Sequence, residues 1–356
     1  VGDESTDSST FAGGLDTTVG GTENFAGTVA ATDNQIDIGV ASVTADATID
    51  GGTGAINTAA LTVADASTLT VGTGAVGAPT IASVTGANGG GAASNLTLNS
   101  TGVASVGAVG TNIGTVTVTQ SGGTTFSSTV DAVAVTLTDT TGTIQFDGAL
   151  TATDLNTAAK GYGVSLLGGS TIANAVTFSN TGTTQIGDAT GDTNTFNGGV
   201  TATAGAVTAS GSVVTSEDNL ALGAVTLVEA QTLTLDTANT GGGNITVASL
   251  TGVTGGSSEN ITLESGSGTI TVSGAVGTDI GTLTLQENAA GASGAVSLQG
   301  NVAANTLTTF AQAYDVSLTG AVNSITTDTT FLNTGAITVG DESTDSSTFA
   351  GGLDTT

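Results

Sequence analysis

The sequence lacks the residue types on which most enzymes and many compact domains depend. It contains no cysteine, methionine, tryptophan or histidine and one proline, and aromatic residues make up 3% of its 356 residues. Without cysteine, the chain has neither a disulfide framework nor a cysteine-based zinc site. A buried core must therefore be built from small aliphatic and β-branched side chains instead of large aromatic ones.

Basic residues are almost absent as well. Thirty acidic residues are accompanied by one basic residue, Lys160, which gives a formal net charge of −29. Nucleic-acid binding requires basic side chains at phosphates, and electrostatic attachment to anionic membranes requires basic segments. The composition therefore argues against both partners, and no apolar run reaches the roughly 18 residues of a membrane span. A surface this acidic attracts cations and requires salt to screen its charge.

What the sequence does have is a repeat. Residues 339–356 repeat residues 1–18 without a substitution, at an offset of 339 − 1 = 338 residues. Residues 186–203 are a diverged third copy that keeps the frame Gly-Asp-x-x-x-Asp. We call the three segments the N-terminal copy (1–18), the internal copy (186–203) and the C-terminal copy (339–356). The sequence thus divides into a first half-repeat (1–185), a homologous second half-repeat (186–338) and the start of the next repeat, as expected for part of a fibre.

Short strands are predicted along the whole chain. Runs in which Val, Ile or Leu alternates with Thr recur between Gly, Asn, Asp and Ser, which is typical of strands joined by turns. Examples are residues 35–39, 69–71, 95–98, 115–119, 134–138, 143–146 and 232–235. Residues 154–160 are interpreted as a loop or a single helical turn. In the last third of the chain, strands recur about every 11 residues.

The comparison of the two half-repeats favours one fold class. Tyr162 and Tyr314 occupy equivalent positions. The first half gains about 15 residues between Thr115 and Tyr162, and the second half lacks about 19 between Gly187 and Thr246, each close to one coil of a solenoid. A stack of coils tolerates such changes because each coil contacts only its neighbours. We therefore predict an all-β fold, a parallel β-solenoid (β-helix) of short Thr/Val/Gly-rich strands. The alternative is a series of immunoglobulin-like β-sandwich domains.

In such a solenoid, the aliphatic side chains would point inward and Thr, Ser and Asn would point outward. Stacked Thr side chains can hydrogen-bond to one another, whereas stacked like charges repel.

Three stretches resemble the strand repeats of large bacterial surface proteins of the autotransporter and filamentous-haemagglutinin type. They are residues 195–212, 266–285 and 331–340, which combine Gly, Thr and Val in short runs. The passenger regions of that family are right-handed β-solenoids exported for adhesion and matrix building. The resemblance implies an extracellular or cell-surface location and a structural role in a fibre, an adhesin stalk or a biofilm matrix. The identical segments at 1–18 and 339–356 imply identical repeats or subunits joined head to tail as partners, with surface glycans as further candidates.

The acidic turns of the three copies are candidate calcium sites. Calcium takes several oxygen ligands from carboxylates, carbonyls and hydroxyls, and a turn of this frame can supply them. Calcium is the one cofactor that the sequence suggests. The alternative is a solvated turn in which Asp side chains bond nearby backbone amides. The candidate ligands are Asp3, Glu4 and Asp7, then Asp188 and Asp192, and finally Asp341, Glu342 and Asp345.

Catalysis is not expected from this sequence. Polysaccharide-cleaving β-helices need clustered carboxylates and commonly a basic residue to stabilise charge in the transition state. The carboxylates here are spread thinly, and Lys160 has no counterpart in the second half-repeat. We therefore predict that the chain is not an enzyme and assign no catalytic residue.

Two further patterns concern the core and the surface. Phe11, Phe196 and Phe349 share one position of the repeat and Phe178 and Phe331 another, which predicts matched rings stacked in a narrow core. The Thr-x-Thr runs at 115–119, 232–234 and 282–284 raise an ice-binding alternative. That function requires one such run per coil on one face, and the irregular spacing of the runs argues against it.

Overall fold

In the computed structural model, the chain consists of parallel β-strands, with no helix in the part that the structure describes. The described residues are 1–74, 77–88, 90–237, 241–277, 279–286 and 291–355. They form two compact units, the first comprising Val1–Gly168 and Asn180–Gly182, and the second Gly169–Ser179 and Thr183–Thr356. Within these ranges, no helix has the length and apolar character that crossing a membrane requires.

The strands of the first unit are short and regularly spaced. They are β1 (Ser8–Thr10), β2 (Leu15–Asp16), β3 (Glu23–Ala30), β4 (Ile36–Ile38), β5 (Ala41–Asp50), β6 (Ile56–Val63), β7 (Thr68–Val71), β8 (Pro79–Gly86), β9 (Ser94–Asn99), β10 (Ala104–Val109), β11 (Ile113–Ser121), β12 (Thr124–Phe126), β13 (Val130–Thr140), β14 (Thr143–Phe146), β15 (Leu150–Thr157) and β16 (Gly163–Leu166).

Each strand of the first unit pairs in parallel with a strand one coil later. One series runs β1–β3–β5–β7–β9–β11–β13–β15. A second series runs β2–β4–β6–β8–β10–β12–β14–β16. This is the parallel β-solenoid predicted from the sequence. The sandwich alternative is wrong, because immunoglobulin-like sheets are antiparallel.

The core of the first unit is a column of aliphatic side chains. Parallel pairing keeps the period-two alternation in register from coil to coil, so inward positions stack on inward positions. Each buried Val, Leu or Ile contributes about 1.5–3 kcal/mol relative to an exposed one. One such column consists of Val29, Ile49, Val71, Leu98, Val118 and Leu137, each at most 1% exposed.

The second unit is built on the same pattern. Its strands are β17 (Ser170–Ile172), β18 (Val176–Thr177), β19 (Thr184–Ile186), β20 (Thr193–Phe196), β21 (Val200–Ala202), β22 (Val207–Ala209), β23 (Gly211–Thr215), β24 (Leu220–Leu227), β25 (Thr232–Asp236), β26 (Ile245–Thr251), β27 (Glu259–Glu264), β28 (Ile270–Val272), β29 (Val276–Gly277), β30 (Ile280–Leu285), β31 (Val296–Leu298), β32 (Ala303–Ala304), β33 (Thr306–Thr308), β34 (Val316–Leu318), β35 (Val322–Ile325), β36 (Thr329–Thr330), β37 (Ile337–Val339), β38 (Ser346–Phe349) and β39 (Leu353–Asp354).

Parallel series also run through the second unit. The first is β17–β20–β23–β25–β27–β30–β33, and the second is β18–β21–β24–β26–β28–β31–β34–β37. Near the end of the chain, β35 pairs with β38 and β36 pairs with β39.

One local expectation is wrong. The sequence predicts a loop or a helical turn at residues 154–160. Residues 158–160 do lie in a loop, but Asp154 to Thr157 belong to β15, which pairs with β13. The physical reason is Leu155, which is 3% exposed and stacks on Val135 in the core column of the preceding coil. A strand places Leu155 in the core and leaves its polar neighbours facing outward, whereas an isolated helical turn of this length is not stable by itself.

Candidate functional site

The internal copy shows how the repeated segment lies within a complete stack. Its strand β20 pairs with β17 on one side, through Ile172 and Phe196, and with β23 on the other, through Phe196 and Thr215. Its strand β21 likewise lies between β18 and β24, with Val200 at the centre. Phe196 is fully buried as a result. One copy of the segment therefore makes a complete coil with a neighbour on each face.

The N-terminal copy shows only the face towards the following coil. Its β1 pairs with β3, through Ser8 and Thr28, and its β2 pairs with β4, through Leu15 and Ile36. Within the described residues, no strand pairs with the opposite edge of β1 or β2. The register is that of β20 on β23, because Thr193, the equivalent of Ser8 in the internal copy, pairs with Ser212 in the same way.

The C-terminal copy shows only the face towards the preceding coil. Its β38 pairs with β35, through Phe349 and Ile325, and its β39 pairs with β36. The register repeats that of β20 on β17, where Phe196, the equivalent of Phe349, pairs with Ile172. In the described part of the chain, the far edge of β38 has no strand beside it. The two end copies therefore display the two halves of the environment that surrounds the internal copy.

The acidic turn has the same geometry in all three copies. Gly2, Gly187 and Gly340 adopt positive φ angles of 70°, 76° and 76°, which favour glycine. Oδ2 of Asp7 accepts hydrogen bonds from the backbone N–H groups of Asp3 (2.9 Å) and Glu4 (3.2 Å). The equivalent bonds join Asp188 and Ala189 to Asp192, and Asp341 and Glu342 to Asp345, all at 2.9 Å.

These bonds confirm that Asp side chains in the turn bind nearby backbone amides. The N–H of Asp3, and then that of Glu4, holds the pKa of Asp7 below its ordinary value of 3.8. The N–H groups of Glu342 and Asp341 lower the pKa of Asp345 in the same way. The described residues contain no group of three or more acidic side chains placed to hold a metal ion. Calcium binding at these turns stays a prediction.

A glycine of the following coil lies against the turn. Gly27 and Gly211 have φ angles of 68° and 71°, and a Cβ added to either would collide with backbone carbonyl oxygens of the turn, those of Asp7 and Asp192 respectively. The backbone also bonds there, since Thr28 N–H donates to Asp7 O at 2.7 Å. The acidic turn of one coil and the glycine of the next coil therefore pack directly against each other and are joined by a backbone hydrogen bond.

A buried tyrosine hydroxyl bonds to two backbone groups in each half-repeat. The hydroxyl of Tyr162 donates to the carbonyl of Leu137 and accepts from the N–H of Ala158, both at 2.9 Å. The second half repeats the arrangement: the Tyr314 hydroxyl donates to the carbonyl of Leu285 (3.1 Å) and accepts from the N–H of Phe310 (2.9 Å). Burial raises the pKa of both tyrosines. The equivalence predicted from the sequence is therefore structural.

The phenylalanines contact each other in a different way from the one expected. Phe178 and Phe196 meet edge to face, with ring centroids 6.2 Å apart, and Phe331 and Phe349 repeat this contact at 6.3 Å. The expected stacking of matched positions is wrong, because matched positions are a whole half-repeat apart, whereas Phe178 lies on the coil directly before Phe196. A parallel stack does occur elsewhere, between Phe126 and Phe146 at 4.8 Å.

Outward positions carry hydroxyl groups in straight rows. In the first unit, one row contains Thr28, Thr48, Thr70, Thr97, Thr117 and Thr136. The irregular spacing of these residues in the sequence therefore does not prevent alignment, because turns of different length absorb the difference. The adjacent row is mixed, with Thr68, Asn95, Thr115, Ala134 and Asp154 in succession. The ice-binding alternative, which requires two Thr per coil, gains no support.

Sequence reasoning missed a buried carboxylate in the second unit. Glu259 is fully buried, and its two carboxylate oxygens each accept a backbone N–H at 3.3 Å, from Ala230 and Val253. The equivalent position in the first half-repeat is Ser94, because Ser94 pairs with Ile113 as Glu259 pairs with Ile280. The signal was the period-two pattern, because Glu259 alternates with Ile261 and therefore falls on an inward position.

One ion pair lies on the surface of the described part of the first unit. The Nζ atom of Lys160 is 3.8 Å from Oδ2 of Asp139, with both side chains more than half exposed. Exposed pairs of this kind contribute little to stability.

The feature best suited to recognition is the repeated segment, whose edges bind strands. Fold and site together define a β-solenoid repeat protein. Comparison with family models, curated proteins and solved structures gave no match to this chain.

Proposed function

We propose that this chain is a structural repeat of an extracellular or cell-surface fibre or adhesin stalk. Its repeats join head to tail by strand pairing into a filament with a matrix or adhesion role. One observation carries the proposal: the internal copy binds strands on both faces, and each end copy displays one of those two faces. A heterologous, head-to-tail contact of this kind yields an open filament.

Two further features support a structural role. The described strands pair in parallel, and one outward row of the first unit consists of threonines from β3 to β13, so consecutive coils add strand contacts there without stacking of charge. The resemblance to autotransporter and filamentous-haemagglutinin repeats supports export to the cell surface. Surface glycans and calcium are proposed partners of the fibre that the same resemblance and the acidic turns suggest.

The proposal is tested by sedimentation and negative-stain electron microscopy of the purified chain. Salt at about 0.15 M is needed, because it shortens the Debye length to about 8 Å and screens the −29 charge. We expect thin filaments whose abundance rises with protein concentration. A particle that stays at 33.6 kDa at every concentration and salt contradicts the proposal. Immunogold labelling of producing cells should place the fibre outside the cell, and exclusively internal label contradicts that part.

A further inference from the structure

We infer that one copy of the repeated segment is shared by two consecutive repeats. The C-terminal copy of one chain occupies, on β3 and β4 of a second chain, the place that the second chain's own N-terminal copy holds in this structure. The partner is thus a second copy of this chain, and its register is defined residue by residue. The inference rests on the proposed function, because it specifies the contact through which the repeats join.

The internal copy supplies the first argument. There, a single segment connects the preceding coil to the following one, and no second copy is inserted between β17, β20 and β23. The end copies reproduce the two sides of that arrangement in the same register. A junction made from one segment therefore repeats an arrangement that the chain already contains.

The contacts on the second chain are the second argument. In the N-terminal copy, Phe11 N–H donates to Ala30 O at 2.8 Å and Leu15 N–H donates to Gln35 O at 3.1 Å. Phe349 and Leu353 are the same residues of the repeat in the C-terminal copy, so they can make both bonds without any change of sequence. The Asp345 carbonyl can likewise accept the N–H of Thr28, as the Asp7 carbonyl does here.

Exposure of the C-terminal copy is the third argument. Leu353 is 49% exposed, whereas the equivalent Val200 of the internal copy is 2% exposed. Phe349 is only half-buried, whereas Phe196 is fully buried. The difference arises because β23 and β24 cover the internal copy. Binding of β3 and β4 from a second chain would cover the C-terminal copy in the same way.

The alternative junction keeps both copies and stacks one directly on the other. Identical acids would then lie opposite each other at the strand spacing of about 4.8 Å, which is destabilising. The opposed pairs would be Asp3 with Asp341, Asp7 with Asp345 and Asp16 with Asp354. Sharing one copy avoids these three pairs and leaves only Asp354 opposite Asp37, a contact that Asp16 already makes in this structure. Exchanging identical segments is a low-cost route to association because every lost contact is replaced by an equal one.

Engineered disulfides distinguish the two junctions. The chain has no cysteine, so only an introduced pair can form a bond. Thr10 pairs with Ala30, and Thr348 is its equivalent in the C-terminal copy. Under oxidation, a chain carrying Thr348→Cys and Ala30→Cys should form covalent multiples of 33.6 kDa, because paired strands place Cα atoms within disulfide range. The control carries Thr348→Cys and Thr10→Cys, which become neighbours only if both copies are kept.

Covalent oligomers from the control, and not from the first variant, overturn the shared segment while leaving the filament intact. Absence of any association in the unmodified chain overturns the proposed function as well. Melting of the reduced variants checks that both remain folded. A second measurement uses Leu15→Asp, which weakens only the N-terminal copy. This variant should lower the concentration at which filaments form by about tenfold or more. The reason is that the chain's own N-terminal copy, which is tethered beside β3 and β4 at a millimolar effective concentration, no longer competes with the C-terminal copy of another chain. Slower assembly contradicts sharing.

Discussion

Asn323 and Ser347 are hydrogen-bonded across two consecutive coils, with Asn323 Nδ2 donating to Ser347 Oγ at 3.0 Å. The equivalent positions one half-repeat earlier hold Ser170 and Asn194, where the hydroxyl donates to Asn194 Oδ1 at 2.8 Å. The same amide–hydroxyl pair therefore occurs in both places, with the asparagine and the serine on opposite strands. Ser9 of the N-terminal copy is the equivalent of Ser347, but a shared C-terminal copy brings its own Ser347, so the bond to Asn323 is kept when that copy lies on a second chain.

The exchanged pair predicts a coupling between the two positions. Ser347→Asn should destabilise the C-terminal coils by about 1 kcal/mol, since it no longer sets one amide opposite one hydroxyl. Asn323→Ser should cost more, because Asn323 Oδ1 also accepts the N–H of Val302 and its Nδ2 also donates to the Gly320 carbonyl. The double exchange should cost less than the sum of the two, with an interaction energy of about 0.5–3 kcal/mol. Hydrogen exchange at the amides of β35 and β38 gives the free energies. Additive single changes contradict the coupling.

Removal of a tyrosine hydroxyl should weaken the backbone hydrogen bonding beside it in one half-repeat. Tyr162→Phe keeps the ring but removes the hydroxyl that bonds both backbone groups, so the Ala158 N–H and the Leu137 carbonyl keep only their mutual bond of 3.0 Å, at a cost of about 0.5–1.5 kcal/mol. The amide of Ala158 should then exchange faster with solvent, whereas amides near Tyr314 should not change. Tyr314→Phe is the matched control, with the opposite pattern. If the amides of Ala158 and Phe310 stay equally protected in either variant, the proposed role of the hydroxyl is contradicted.

The glycine beneath the acidic turn should not tolerate a side chain. Gly27→Ala places a Cβ against the Asp7 carbonyl at a positive φ angle, and both effects oppose folding of the N-terminal coil. Gly13→Ala is the control, because a Cβ there meets no atom within 4 Å. We expect a clear loss of protection of the β1 amides in the first variant and little change in the second. Equal behaviour of the two contradicts the packing account.

The fold could be predicted from the sequence because its determinants are local. Period-two alternation sets inward and outward positions, and the homologous halves indicate stacking. Coil partners could not be predicted, because turns of different length separate them. Thr70 pairs with Thr97 and Thr97 pairs with Thr117, and the first of these two steps spans a longer stretch of chain than the second. The same limitation hid the contact between Phe178 and Phe196.

The sequence predicts which segment forms the candidate site, but not which strand edge of that segment binds a neighbouring coil in each copy. Identity between residues 1–18 and 339–356 indicates equivalence, yet only the structure shows that β1 binds on one side and β38 on the other. The acidic frame leaves calcium binding and amide bonding open, and the geometry shows the amide bonds. Glu259 is missed because an acidic residue at one inward position does not disturb the alternation around it.

Protonation of the acidic turn should affect stability on the acid side only. The folded pKa of Asp7 is lowered, so its hydrogen bonds contribute stability above the unfolded pKa, and that contribution is lost as the pH falls through the folded value, below 3.8. Asp7→Asn should therefore melt below the parent at pH 7, and the difference should vanish in strong acid. A difference that persists or grows below pH 3.8 contradicts the assignment.

Calcium can be tested on the same variants. If calcium binds the turns in the folded state alone, it raises the melting temperature by mass action, and a chelator reverses the rise. The rise should be smaller in a chain carrying Asp7→Asn and Asp345→Asn. Magnesium and sodium at matched ionic strength control for screening of the −29 charge. An unchanged melting temperature at low salt contradicts calcium binding.

The central claim is that consecutive repeats continue one strand stack through a single shared segment. Helical reconstruction of the filaments by cryo-electron microscopy tests it most directly, since the strands around each junction can be counted. We expect one segment of sequence 339–356 between β35 of one repeat and β3 of the next, with Phe349 fully buried beside Phe331. Two stacked copies at the junction, or contact through any other surface of the coils, would contradict the claim.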